Sequence, residues 1–303
     1  MNSNNSTRLG ATDLLMLLTC FFWALNFTVV KIALREFAPH AFNASRLVLA
    51  SVLLVAYLWR KGGGLAVSRA DLLKLTALGI VGNTFYQLLF INGLRRTTAS
   101  DTSFIMTMSP VLIALLGSLF GVERIRWAGW AGIFVAFSGL YLVVFGYSEA
   151  PSLASESLTG NLFILAANFC WAVYTVFSRP LLARMSPLKL TTLTFALGAL
   201  FYLPAGAREM AATRWLSLSA GGWSALLYSA VFSFAVGYVI WYSSVKRVGS
   251  TKTGVFGYIT PVFAVIIARI FLGEEIHLHQ VAGVVIIFAG FYLTRFGDKN
   301  RKN

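Results

Sequence analysis

Charged side chains are scarce in this chain. Asp, Glu, Lys and Arg together make up 12% of it, against roughly a quarter in a soluble domain, so there is too little charge to clothe a water-facing surface. Cysteine is nearly absent. Cys20 and Cys170 are the only two, each inside an apolar run among bulky neighbours, which argues against a disulfide and for packing. The three histidines, His40, His277 and His279, do not combine with cysteines in any spacing that closes a four-ligand zinc site. Neither a phosphate-cradling glycine loop nor a nucleophile elbow occurs. An enzymatic reading is therefore weak, and no metal or cofactor is expected.

What the chain does have is apolar residues in long runs. It is 57% hydrophobic with a mean hydropathy of +0.73. Crossing the hydrocarbon of a bilayer takes about 20 helical residues. Ten runs of that size lie at residues 12–34, 40–60, 70–92, 98–120, 128–146, 160–182, 186–206, 220–242, 251–272 and 278–296. They are apolar all round rather than alternating, which selects helices over barrel strands. The first run is longer than the apolar core of a secretory signal and is expected to be retained. The expected fold is an all-α membrane protein of ten transmembrane helices, with the lipid bilayer as its main partner.

A formal net charge of +14 raises the question of nucleic acid, and the placement of the basic residues answers it. With a cytoplasmic amino terminus, most of the 25 lysines and arginines fall in inner loops, including Arg60, Lys61, Arg69, Lys74, Lys246 and Arg247. Lys31, Arg35, Arg95, Arg96, Arg208 and Arg214 fall at the outer face. This is the positive-inside bias with both termini cytoplasmic. Basicity reports topology, and no nucleic-acid partner is expected.

The chain repeats itself. A shift of 151 residues lays Arg96 on Arg247, Pro110 on Pro261, Glu123 on Glu274, Gly132 on Gly283 and Gly139 on Gly290. Earlier in the halves the shift is 148, placing Trp23 on Trp171 and Pro39 on Pro187. The chain thus reads as one five-span unit at residues 1–146, a linker at 147–159, and a second unit at 160–303. Five is odd, so the second unit enters the membrane from the opposite side. Inverted repeats of this kind are typical of secondary transporters, with the solute held near the midplane between them.

Pro110 and Pro261 fall mid-span. Each removes a backbone donor and displaces the carbonyl four residues earlier, those of Met106 and Gly257. Such breaks are tolerated in lipid where protein, water or a ligand supplies a partner. Matching breaks in both copies therefore point to a cavity wall.

The stretches "SPVLIALLGSLFGVE" and "TPVFAVIIARIFLGEE", each followed by a glycine-rich last span ("AGIFVAFSGLYLVV", "AGVVIIFAGFYLTR"), resemble the EamA-like branch of the drug/metabolite transporter superfamily. The resemblance runs over essentially the whole chain and is specific for fold but weak for substrate. It implies ten helices in two inverted five-helix repeats, a central cavity lined by helices one, three, four, six, eight and nine, and export of small metabolites such as amino acids.

Polar and aromatic residues at helical spacing mark inward faces: Trp23 and Asn26 on span one, Tyr86 and Gln87 on span three, Trp171 and Tyr174 on span six, and Tyr238 on span eight. With Met106, Pro110 and Pro261 they form the candidate substrate-binding set. Asp101, in the first turn of span four, suits a helix start electrostatically and is also the proton-coupling candidate. Trp241 and Tyr242 are expected in the inner aromatic belt, and Arg46 and Arg269 are expected to snorkel toward the surface. Glu123 and Glu274 read as loop braces, and the glycine stripe of the last spans reads as packing.

The function expected is a secondary transporter, an exporter of a small amphipathic metabolite such as an amino acid, working by alternating access in a bacterial inner membrane. A nucleotide-sugar or organic-phosphate exchanger is the alternative, though several converging cations would be needed. An intramembrane enzyme or sensor scaffold is the alternative of another class. A homodimer is left open.

Overall fold

The computed structural model of the protein describes residues 11–122, 127–145, 156–273 and 278–296. Every regular element among them is helical. The α-helices are α1 (Ala11–Ala33), α2 (Pro39–Arg60), α3 (Arg69–Gly79), α4 (Tyr86–Leu94), α5 (Ala99–Met106), α6 (Ser109–Leu119), α7 (Trp127–Phe145), α8 (Glu156–Leu182), α9 (Pro187–Ala212), α10 (Ala220–Tyr228), α11 (Gly237–Val248), α12 (Ser250–Gly254), α13 (Thr260–Leu272) and α14 (Leu278–Phe296). Glu123 and Glu274 lie outside the described residues, as does most of the linker.

Several of these helices join end to end into longer rods. π-Helical turns at Ile80–Phe85 and Ser229–Val236 connect α3 to α4 and α10 to α11. A two-residue turn separates α5 from α6, and a 3-10 segment, Val255–Ile259, separates α12 from α13. Eight of the resulting helical rods are long and apolar enough to cross a bilayer. Against the ten spans expected, α7 and α14 contribute only the shorter apolar stretches Gly129–Gly139 and Val281–Gly290 among the described residues. Large apolar side chains such as Leu14, Leu73, Phe134 and Ile270 point outward. On a soluble protein they would form sticky patches, whereas in lipid they face acyl chains. The chain is a multi-pass membrane protein.

Two pairs of rods show how the halves meet. Gly139 of α7 is so close to α14 that an added Cβ would lie 2.6 Å from the Gly283 carbonyl oxygen, and one on Gly290 would lie 2.5 Å from that of Gly132. The late residue of each helix faces the early residue of the other, so α7 and α14 run antiparallel. The same holds for α2 and α9: Glu209 near the end of α9 accepts hydrogen bonds from His40 and Ala41 at the start of α2, at 2.6 and 3.0 Å. At the other end of the pair, Thr192 donates to the Leu54 carbonyl at 3.5 Å.

Candidate functional site

Both mid-span prolines sit in the first turn of a new helix rather than in the middle of an old one. That position tolerates proline because its missing N–H would have no partner anyway. The carbonyls expected to be freed are satisfied within the protein. Met106 O accepts from Ser109 Oγ at 2.7 Å, and Gly257 O accepts from the Thr260 backbone N–H. Each break is latched from the facing half. Asn168 of α8 donates Nδ2 to the Ile105 carbonyl at 2.8 Å, and its Oδ1 shares the single Ser109 hydroxyl proton with the Met106 carbonyl. Cys20 of α1, the residue matching Asn168 in the other half, donates Sγ to the Phe256 carbonyl at 3.1 Å.

Between the breaks and the π turns lies a cavity bounded by α1, α2, α4, α8, α11 and the helix starts at Ser109 and Thr260. Its walls are Trp23, Asn26, Phe27, Arg46, Tyr86, Gln87, Phe90, Met106, Ser109, Trp171, Ser233, Phe234, Tyr238, Trp241, Gly257 and Thr260. The cavity volume is small, about 60 Å³, well below the roughly 300–1,000 Å³ usual for small-molecule sites. As it stands the cavity has room for a few waters, roughly 10–15 Å³ of such space being the minimum for one.

Four of the lining rings meet one another. Trp23 and Trp171, equivalent residues of the two halves, meet edge to face at 5.5 Å between centroids. Trp241 lies 5.1 and 5.3 Å from them, and Tyr238 lies 5.2 Å from Trp171. Edge-to-face contacts add about 0.5–1.5 kcal/mol each beyond the area they bury. Trp23 is held from behind by its indole N–H, which donates to the Ser233 carbonyl at 3.0 Å. Ser233 lies in the π turn, where the widened hydrogen-bond ladder disturbs regular pairing. The Trp241 indole N–H, by contrast, is buried and has no hydrogen-bond partner.

Of the ten candidates read from the sequence, Trp23, Asn26, Tyr86, Gln87, Met106, Trp171 and Tyr238 line this cavity, and Tyr174, Pro110 and Pro261 do not. Tyr174 turns instead to Thr194, with which its hydroxyl shares a hydrogen bond. Asp101 is absent from the cavity wall. Its backbone N–H is capped by Thr98 Oγ1 at 2.9 Å, and its carboxylate receives a long contact from Thr97 at 3.4 Å.

Two expectations are corrected. Trp241 and Tyr242 are not belt residues: they are 1% and 0% exposed, inside the aromatic cluster. Trp241 matches Phe90 in the repeat, and both line the cavity. Nor does Arg46 snorkel. It is 0% exposed, donating Nε to Asn43 Oδ1 at 2.6 Å, Nη1 to Ser229 Oγ at 2.9 Å and Nη2 to Gln87 Oε1 at 2.9 Å. Its guanidinium lies 4.4 Å from the centroid of the Phe234 ring. The clue missed was Asn43, one helical turn away on the same face of an otherwise apolar helix.

A membrane-crossing helical bundle with an aromatic and amide-lined cavity drawn from both halves is the build of a membrane transporter. The chain belongs to the EamA-like transporter family, whose model matches residues 10–145 and again 158–296. It is similar to an uncharacterized transporter of Archaeoglobus fulgidus, at 32% identity over 93% of this chain and 96% of that one. It is also similar to a Streptantibioticus cattleyicolor protein named "Probable terminal-alkyne amino-acid exporter", at 28% identity over 92% and 91%. One crystal structure superposes over 97% of this chain and 99% of its own with a TM-score of 0.73, at 17% identity. That last likeness speaks to the fold.

Proposed function

We propose that this transporter moves a small amphipathic metabolite, of the size and character of an amino acid, outward by alternating access. The observation that carries the reading is the cavity itself: matched residues of the two halves, Trp23 and Trp171, meet across it, and matched helix breaks bound it. In this reading the molecule has ten spans in two halves of opposite orientation, in a bacterial inner membrane with both termini cytoplasmic. The antiparallel pairs α7/α14 and α2/α9 support inversion. The clustering of basic residues supports the orientation. Arg184 pairs with Asp71 at 3.0 Å, Lys189 reaches the Ala66 carbonyl and Lys246 the Met185 carbonyl, all at one end of the bundle.

At about 60 Å³ the cavity is too small for such a solute, so in this reading loading requires the Trp23, Trp171, Trp241 and Tyr238 rings to part. The π turns and the helix breaks are where the rods can bend. The exporter direction rests on likeness to the named relative. Asp101, off the cavity wall, would act on coupling only at a distance, and Asp101→Asn tests this by whether the pH profile of flux flattens.

The direct test is Trp171→Ala in proteoliposomes, paired with a thermal-shift screen of wild type against amino acids, sugars, nucleosides and cationic drugs, since a ligand that binds only the native state raises its stability. Trp171→Ala is expected to cut flux of the solute found while leaving the elution profile of the folded protein unchanged. Undiminished flux would remove the aromatic cluster from the transport path.

A further inference from the structure

Arg46 places a full positive charge inside the bundle. Guanidinium stays protonated in any protein environment, and a charge at membrane depth is costly unless paired. Yet the three groups that hold it, the Asn43 and Gln87 side-chain carbonyls and the Ser229 hydroxyl, are all neutral. Ser229 spends its own proton on Asn26 Oδ1 at 2.7 Å, so its lone pair faces the arginine by design of the network. Phe234, Phe90 and Phe42 surround the guanidinium at 4.4, 5.9 and 5.4 Å, which offers a π face but no negative charge. Among the described residues no carboxylate pairs with Arg46.

The three hydrogen bonds use one N–H on each guanidinium nitrogen. That leaves one N–H on Nη1 and one on Nη2, two charged donors available to a carboxylate. Arg46 lines the cavity. So does Trp241, whose buried indole N–H also lacks an acceptor. Two separate elements, α2 and α11, thus present unspent donors to one small space, and no acidic side chain lines it.

Resting on the transport reading above, we propose that Arg46 is the carboxylate-recognition residue of the cavity, with Trp241 as an auxiliary donor. The solute class is then a small monocarboxylate with an apolar body, zwitterionic amino acids included. A single guanidinium balances one negative charge, so a phosphate dianion is under-neutralised here and a bare amine meets a like charge.

The test uses wild-type protein and four probes of one shape: phenylalanine, 3-phenylpropionate, phenylethylamine and phenyl phosphate, each measured by thermal shift and by counterflow in proteoliposomes. Phenylalanine and 3-phenylpropionate are expected to bind and move. Phenylethylamine, lacking the carboxylate, is expected to bind more weakly by roughly tenfold or more, as for a charged hydrogen bond left unmade. Arg46→Gln should shrink the preference for phenylalanine over phenylethylamine, and Arg46→Lys should restore part of it. If Arg46→Gln does not fold, the wild-type series still decides. Equal handling of phenylalanine and phenylethylamine, or tighter binding of phenyl phosphate than of 3-phenylpropionate, overturns the role of Arg46 and leaves the transport reading standing. If no probe of either kind binds or moves, the amphipathic-solute reading fails and this inference with it.

Discussion

Asn168 and Cys20 hold matching positions in the two halves, and each ties the facing helix break through a backbone carbonyl. They differ in strength, because an amide N–H is a full donor and a thiol a weak one. Asn168 has a second tie, to Ser109. Asn168→Leu keeps the volume but removes the tie across the halves, while the Ile105 carbonyl keeps the Met108 N–H and the Ser109 hydroxyl keeps the Met106 carbonyl, so it should cost about 1 kcal/mol. Cys20→Ser keeps a donor and should cost less. Thermal unfolding in detergent orders the two, and a larger loss for Cys20→Ser would mean that the latch is not what Asn168 contributes. At this scale the sequence was legible in its periodicity. Helical spacing of aromatic and polar residues picked out Trp23 and Trp171, the matched residues that form the cavity's central pair. Arg46 was opaque: the register of one apolar helix does not say which face meets a neighbour, and only the three-dimensional arrangement of Gln87 and Ser229 does.

Helices that must bend and helices that must hold are made differently here. The rods from Arg69 to Leu94 and from Ala220 to Val248 carry π turns at corresponding places, just before Tyr86 and Gln87 in one copy and Tyr238 in the other. A hydrophobic pattern counted at 3.6 residues per turn does not reveal such a turn, because the insertion lives in the backbone ladder. The prolines, by contrast, announced the breaks in sequence, although they begin helices rather than interrupt them. The α7/α14 pair holds. A Cβ on Gly290 would sit 2.4 Å from the Ala136 backbone nitrogen, and backbone cannot yield as a side-chain tip can. Gly290→Ala is therefore expected to cost about 1–3 kcal/mol through overpacking. Gly64→Ala, with nothing within 4 Å, is the control and should be neutral in the same melting assay. A smaller tie shows a pH signature. The Glu36 carboxylate accepts from the Ser219 hydroxyl and N–H at 2.6 and 2.9 Å, and those bonds hold its pKa below the usual carboxylate value. A depressed folded value means the contribution is complete above the unfolded pKa and disappears as pH falls through the folded one. Glu36→Gln should flatten that acid limb of the melting curve, and an unchanged limb would assign it to another group.

The molecule as a whole turns on whether its halves face opposite ways. The loop after α2 and the loop after α9 occupy the same place in the two copies, near Gly64 and Ser217. If both halves had the same orientation, these loops would share a side of the membrane. The contacts argue otherwise: Lys189, at the start of α9, reaches the carbonyl of Ala66 in the loop after α2, whereas Ser219, beyond the end of α9, meets Glu36 before the start of α2. A helix that begins beside one loop and ends beside the opposite mouth of the bundle carries its own following loop to the far face. Length alone makes that a full crossing, since the 26 residues of α9 span about 39 Å at 1.5 Å per residue. Basic residues bias the Gly64 side inward, with Arg60, Lys61, Arg69 and Lys74 close by. Single cysteines at Gly64 and Ser217, in a background with Cys20 and Cys170 replaced, should therefore react with a membrane-impermeant maleimide from opposite faces, Ser217→Cys in intact cells and Gly64→Cys only in inverted vesicles. Labelling of both from one face would break the inverted arrangement, and with it the pseudo-symmetric pathway through which Trp23 and Trp171 come to face each other.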